Sequence, residues 1–208
     1  MAKSENLAIV EKIFEESIFI KKDCINQGFD SISKIGEIAV SSILDRNKIL
    51  LFGNGGSAAD AQHIAAELLI RPHPDINREG IPAIFLTQDT SSITACGNDY
   101  GFEIFYKRMI LSLGRSGDCL IAISTLGNSQ NIILAMKVAK NMGIKVVDFF
   151  LGFLGCGGGE ALNYCDEAFI VPRNDTGRIQ EAHITAGHVL VEYIEVNLLK
   201  LGFLHLQN

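Results

Sequence analysis

Five apolar runs of strand length follow one another from Lys48 onward: KILLFG, PAIFLT, DCLIAIST, KVVDFFL and EAFIVP. They give way to glycine, serine or threonine, and helical segments lie between them. A strand with one wet face would alternate apolar and polar residues. Runs apolar on both faces and separated by helices instead specify a parallel sheet covered on both sides. The predicted fold class is α/β, a three-layer sandwich around a five-stranded parallel sheet. Crossovers in such sheets are right-handed, so the strand C-termini line up along one edge, where open α/β sheets bind ligands. With 208 residues, 48% of them hydrophobic and only four prolines, the chain suffices for one well-buried domain.

Helices flank these runs. Residues 5 to 46 carry apolar positions at spacings of three and four, among them Leu7, Val10, Phe14 and Ile18, then Ile32, Ile35, Ala39 and Ile43, with a break near NQGFD. This spacing predicts two amphipathic helices. Residues 1–46 are read as an N-terminal helical extension packing on the core and an interface, and 47–208 as the α/β unit, within one globular domain. A final long helix is predicted from Asp175 or Thr176, either of which can cap it, to about residue 200. Its apolar residues, from Ile179 to Leu199, surround it almost completely. In a chain this short, that predicts a subunit interface, joined by the N-terminal helices. The glycines of LGFLGCGGGEA supply a flexible crossover after the fourth strand.

Charge and hydropathy remove several classes of partner. The formal net charge is -6, with 18 basic residues scattered among 24 acidic ones, which gives no support for a nucleic-acid-binding surface. No apolar run reaches the ~18 residues of a membrane span. The N-terminus MAKSENLAIVEKIFEESIF alternates charged and apolar residues where a signal peptide would hold an unbroken apolar core. The chain is expected to be soluble and cytoplasmic, with no nucleic acid and no membrane among its partners. Its cysteines, Cys24, Cys96, Cys119, Cys156 and Cys165, contain no CxxC pair and are read as reduced core residues.

Two loops fall at the binding edge. GNGGS, Gly53 to Ser57, follows the first strand, and STLGNSQN, Ser124 to Asn131, follows the third. In the first, glycines let the backbone approach a ligand and adopt positive φ, and the following helix N-terminus offers N–H groups to an anion. It is neither a Walker A loop nor GxGxxG, which weakens nucleotide readings, and a generic tight strand-to-helix turn would look the same. In the second, Ser124, Thr125 and Ser129 surround Gly127 and Asn128. Small hydroxyls with backbone N–H groups make a neutral cradle for a phosphate monoester. A helix cap needs one such residue, Asn128 or Ser129, whereas three hydroxyls are present. Together the loops favour a small phosphorylated ligand.

His63 and Glu67 stand at i and i+4, on one helix face about 6 Å apart along its axis. Alone, a solvated pair explains them better than a site does. On the last helix, RIQEAHITAGHV places Gln180, His183 and His188 in apolar surroundings, where an unpaired amide or imidazole costs about 1 to 3 kcal/mol. Gln180 and His188 are eight residues apart, roughly 80° and 12 Å on an ideal helix. They flank one site only if a ligand spans that distance or the side chains converge. A metal would satisfy several of these groups at once. Two histidines and a glutamate are a common catalytic zinc set, with a glutamine oxygen as a weak fourth ligand. His183 reads as a hydrogen-bonded core or interface residue, and His73 and His205 as surface residues. In GNDYGFE, Asn98 and Asp99 either bind sugar hydroxyls or cap the next helix.

Four blocks in this order, GNGGSAADAQHIAAEL, LTQDTSSITACGNDYGFE, ISTLGNSQNI and RIQEAHITAGHVL, closely resemble the bacterial phosphoheptose (sedoheptulose 7-phosphate) isomerases of the sugar isomerase (SIS) domain superfamily. The resemblance runs from about residue 48 to 195. It implies a flavodoxin-like sheet, a homotetramer with active sites between subunits, and one zinc per subunit. It also implies conversion of sedoheptulose 7-phosphate, a phosphorylated seven-carbon sugar, to D-glycero-D-manno-heptose 7-phosphate. That reaction is the first step towards activated heptose for lipopolysaccharide, capsule or S-layer sugars. By position, His63, Glu67, Gln180 and His188 match the family's zinc ligands. Asn54, Gly55, Gly56, Ser57, Glu67, Asn98, Asp99, Ser124, Thr125, Leu126, Ser129 and Gln180 match its substrate contacts. Aldose–ketose interconversion moves a proton between C1 and C2 through an enediol and needs a base at carbon and an acid at oxygen. Catalytic Glu67 takes the first role and His188 the second.

The chain departs from the family's usual pattern at two positions. Leu126 stands where STSGNS has its middle serine, which removes one hydroxyl from the cradle and leaves the backbone N–H. Gly177 stands where relatives often have proline or aspartate before RIQE. Two other readings stay open: a non-catalytic binding protein of the DnaA initiator-associating type, and an isomerase of another phosphosugar.

Overall fold

The computed structural model describes residues 2–151, 159–172 and 175–207. Two helices, α1 (Ala2–Gln27) and α2 (Asp30–Leu44), precede β1 (Ile49–Gly53), α3 (Gly56–Leu69), β2 (Ala83–Phe85), α4 (Thr90–Asp99) and α5 (Phe105–Leu113). Then come β3 (Cys119–Ile123), α6 (Gln130–Asn141), β4 (Lys145–Leu151), β5 (Glu167–Val171) and α7 (Thr176–Lys200). All five apolar runs are strands, and every pairing is parallel, in the order β2-β1-β3-β4-β5. This is the flavodoxin-like winding. Most of the glycine-rich crossover, with Cys156, lies outside the described residues.

Strand pleating divides the core in two. Ile49, Leu51, Cys119, Ile121 and Val147 pack with Ile35 and Ile43 of α2, Ile64 and Leu68 of α3, and Leu190 and Ile194 of α7. Leu50, Phe52, Leu120, Ala122 and Val146 point the other way, into Phe105 and Ile110 of α5 and Ile132 and Met136 of α6. Every residue of β1 and β3 is buried, which is why neither strand alternates in hydropathy. Cys24, Cys96 and Cys119 are buried free thiols and Cys165 a half-buried one. No described helix is long and apolar enough to cross a membrane.

Asp175 caps α7 by accepting the N–H of Arg178 at 3.0 Å, and the helix ends at Lys200, as its pattern predicts. Its buried stripe runs through Ile179, Ala182, His183, Ala186, Leu190, Ile194 and Leu198, with Val189 and Val196 left exposed on other faces. Helix α1 touches this side through buried Ile20 and Cys24 and through Ile13, whose carbonyl accepts from Arg178. Leu7, Val10, Phe14 and Ile18 remain exposed within the subunit.

Chain order reverses direction across the sheet between β1 and β3, which are hydrogen-bonded neighbours over their whole length. The loops GNGGS and STLGNS leave these two strands at the same end. Parallel neighbours lie about 4.8 Å apart, so both loops open on the crevice where this class of sheet binds ligands.

Candidate active site

The first loop is tight because its surroundings leave no room. A Cβ on Gly53 would fall 2.7 Å from the Ser57 carbonyl oxygen and 2.8 Å from that of Ile123, so only glycine lets α3 begin directly against the end of β3. Gly55 takes a left-handed φ of 56°, and Ser57, buried, returns its N–H to the Asn54 carbonyl at 3.1 Å. Tyr106 of α5 donates its hydroxyl to the Gly53 carbonyl, and burial pushes the phenol above its ordinary value, which keeps it a donor. Asn54 reaches across to Asn131 in the first turn of α6. Neither Tyr106 nor Asn131 stands out in the sequence, because each acts through a partner more than 50 residues away.

In the second loop, the Ser124 hydroxyl accepts the N–H of Gly127 at 3.1 Å, and Asn128 Oδ1 accepts the N–H of Glu160 at 3.0 Å. Ser129 occupies the position before α6 without a side-chain capping bond among the described residues. Capping of α6 therefore does not account for Ser129, whereas Asn128 takes up the first N–H of the 3-10 turn Glu160–Tyr164. Thr125 is half-buried and Leu126 is 60% exposed. Asn98 and Asp99 are the exposed last residues of α4, with Asn98 Nδ2 donating to Asp99 Oδ1 at 2.8 Å. They do not cap the next helical segments: the residues before the 3-10 turn Phe102–Ile104 and before α5 are Gly101 and Ile104.

Helices α3 and α7 run side by side in the same direction. Gln180 lies against Gly56, where an added Cβ would meet its amide nitrogen at 2.5 Å, and Gly187 lies against Ile64, where an added Cβ would meet Cδ1 at 2.5 Å. One turn of glycine contact thus brings His63 opposite His188. Their Nε2 atoms are 3.0 Å apart, and Glu67 Oε1 lies 3.3 Å from His63 Nε2 and 3.7 Å from His188 Nε2. The three ligand atoms fall within 4.8 Å of one another. The histidine side chains are 51% and 46% exposed and Glu67 17%, an open arrangement at the subunit surface. Gln180 belongs to the glycine turn in this subunit, about 10 Å by helix rise from the level of His63.

A divalent cation fits this cluster. Two imidazole nitrogens and a carboxylate oxygen converge as a zinc-type donor set, and without a cation the two Nε2 atoms must share a proton. Glu67 Oε2 is buried with no hydrogen-bond partner among the described residues, and so is Oδ2 of Asp60, one turn before His63. Burial raises the Asp60 carboxyl above the usual carboxylate range, while the His63 and His188 imidazoles pull it down. Sequence reasoning missed Asp60, although its i, i+3 spacing to His63 was visible.

The SIS domain family profile matches residues 8–149, which takes in most of α1 and all of α2. A phosphoheptose isomerase from Clostridium acetobutylicum is 46% identical over 191 residues, covering 91% of this chain and 94% of the relative. The chain belongs to the phosphoheptose isomerase family. A phosphoheptose isomerase from Aquifex aeolicus is 47% identical over 186 residues, covering 89% of this chain and 94% of the relative. The solved structure of a phosphoheptose isomerase from Francisella tularensis superposes with a TM-score of 0.85 at 33% identity, over 92% of this chain and 98% of that one. As a member of the phosphoheptose isomerases, the chain is a phosphosugar isomerase on an α/β SIS fold.

Proposed function

We propose that this isomerase converts sedoheptulose 7-phosphate to D-glycero-D-manno-heptose 7-phosphate, the first step towards activated heptose. The observation that carries the reading is the convergence of His63, Glu67 and His188 where α3 packs against α7, about 10 Å by helix rise from the GNGGS turn that opens α3. Ser124, Thr125, Ser129 and the start of α6 hold the phosphate. Asn54, Gly55, Gly56, Ser57, Asn98, Asp99 and Gln180 take the hydroxylated chain, and Leu126 contributes its backbone. Zinc, held one per subunit by His63, Glu67 and His188, would polarise the carbonyl and hydroxyl oxygens when bound; Gln180, which lies against Gly56 within the chain, would serve as the further ligand only across the contact between subunits.

The chain's own groups then move the protons. Glu67 Oε1 faces the histidines, which leaves Oε2, buried and unpartnered among the described residues, as the base. Oε2 takes the proton from C1 of the ketose and returns it to C2, through the enediol, while His188, through the ring nitrogen that does not face the cluster, carries the hydroxyl proton from O1 to O2.

The working form we propose is a cytoplasmic homotetramer with sites completed between subunits. Exposed Leu7, Val10, Phe14 and Ile18 support it, since each large apolar side chain left in water forgoes about 1.5–3 kcal/mol. So does the openness of the histidine pair: two clefts of the subunit, of about 450 and 480 Å³, lie at the other end of the sheet beside Lys145 and Asp118.

Incubation with sedoheptulose 7-phosphate, with and without zinc, followed by NMR for the aldose, tests the reading. Glu67→Gln is expected to abolish conversion and leave phosphosugar binding measurable. No conversion by the wild type under either condition would replace it with a non-catalytic binding role.

A further inference from the structure

We propose that Arg78 is a positioning residue for the isomerase site: it brackets the end of α3 to α7 and so sets how His188 of α7 meets His63 and Glu67 of α3. The proposal rests on the reading of that triad as a metal-binding proton-transfer centre.

Arg78 lies in the connection between α3 and β2, where its backbone bridges to Leu206. Its side chain is 0% exposed and that of its partner, Glu195 of α7, 1%. Arg78 Nε donates to Glu195 Oε2, Nη1 donates to the carbonyls of Leu68 at 3.0 Å and Glu79 at 2.8 Å, and Nη2 donates to the carbonyl of Glu67 at 3.0 Å. The Glu67 and Leu68 carbonyls belong to the last turn of α3, whose acceptors have no partner within the helix. One guanidinium therefore satisfies the end of α3 at the very residue whose carboxylate is the base. It also holds α7 through Glu195, seven residues and about two turns beyond His188 on the same face.

Stability alone gives this arrangement little reason to exist. Two fully buried charges each carry a desolvation penalty of several kcal/mol, and apolar residues of similar volume are often as stable in their place. What an apolar pair lacks is direction. The guanidinium fork has fixed donor angles that an ammonium cannot reproduce, so four acceptors on three segments fix the axial register of α3 against α7. Gly187 lets the helices approach, and Arg78 decides where along each other they stop. A slide of α7 along α3 would shift His188 relative to His63 and Glu67, which share α3, and such sites tolerate only about 0.5 Å.

The test uses the full-length protein as wild type, Arg78→Lys, Glu195→Gln and His63→Ala, with near-UV circular dichroism to verify packing. Cobalt(II) is titrated into each metal-free protein against a competing chelator and followed by its visible absorption, and kcat and KM are measured on the reloaded enzymes. Arg78→Lys and Glu195→Gln are expected to weaken cobalt binding about 10- to 100-fold, alter its absorption band and lower kcat by a similar factor, with KM unchanged because the phosphate loop lies elsewhere. If both bind cobalt and turn over as the wild type does while only the melting temperature falls, the bracket is structural and the proposal is overturned. If the wild type binds cobalt no better than His63→Ala, the metal reading itself fails and takes the proposal with it. Should Arg78→Lys not fold, Glu195→Gln, which keeps shape and one acceptor, decides alone.

Discussion

Asn54 and Asn131 tie the two ligand loops together by exchanging amide hydrogen bonds, Asn131 Nδ2 donating to Asn54 Oδ1 at 2.8 Å and Asn54 Nδ2 donating to Asn131 Oδ1 at 3.0 Å. Asn131 is buried, and its Oδ1 also accepts the N–H of Ile132 at 2.9 Å. Beyond the β1/β3 ladder, this amide pair holds the GNGGS and STLGNS loops at a fixed spacing.

Asn131→Ala should lower stability by about 1–3 kcal/mol in urea unfolding, because it leaves the half-buried Asn54 amide without its partner. KM for the phosphosugar should rise more than kcat falls, since the damage is to the seating of the substrate and not to the proton-transfer groups. A change in kcat alone would place Asn131 in a different role.

Leu126→Ser restores a hydroxyl to the cradle at a position that is 60% exposed. Stability should move by no more than about 0.5 kcal/mol, as for other surface substitutions. One added hydrogen bond to a charged phosphate, worth about 1.5 kcal/mol or more, should lower KM roughly tenfold in initial-rate assays. An unchanged KM would mean that the loop grips the phosphate through its backbone at this position.

The Asp60 carboxyl is raised by burial, so its charged form costs the metal-free fold stability once pH exceeds the ordinary carboxylate value. Asp60→Asn should accordingly raise the melting temperature of chelator-treated protein at pH 7. The advantage should shrink as pH falls towards about 4 and vanish below the ordinary carboxylate value, where both states of Asp60 are protonated. Zinc should reverse the order, because a nearby dication favours the carboxylate. A metal-free wild type that melts higher at pH 7 contradicts this account.

Cys119, fully buried in β3, has its thiol pushed up to about 12 by burial and by the charges of Asp166 and Asp118. It should resist iodoacetamide at pH 8 in the native protein and react fully in guanidinium, read by peptide mass mapping. Labelling of Cys119 in native conditions would show that β3 opens far more often than a central strand should.

Local hydropathy was enough to lay out the sheet: β1 and β3 read as unbroken apolar runs because each is buried on both faces, and α7 begins where Asp175 caps it. The loops after β1 and β3 were legible for the same reason, since glycine and small hydroxyls at strand ends carry their conformational meaning in themselves. Pairing across the chain was not. His63 and His188 meet, and Gln180 lies at Gly56 instead, because α3 and α7 pack in parallel with a register set by Gly187 against Ile64 and by Arg78 against Glu195. Asp60 loses its water for the same reason. Periodicity reports which face of an element is apolar, but the axial offset between two packed helices comes from contacts between residues more than a hundred positions apart, and only the folded chain decides it.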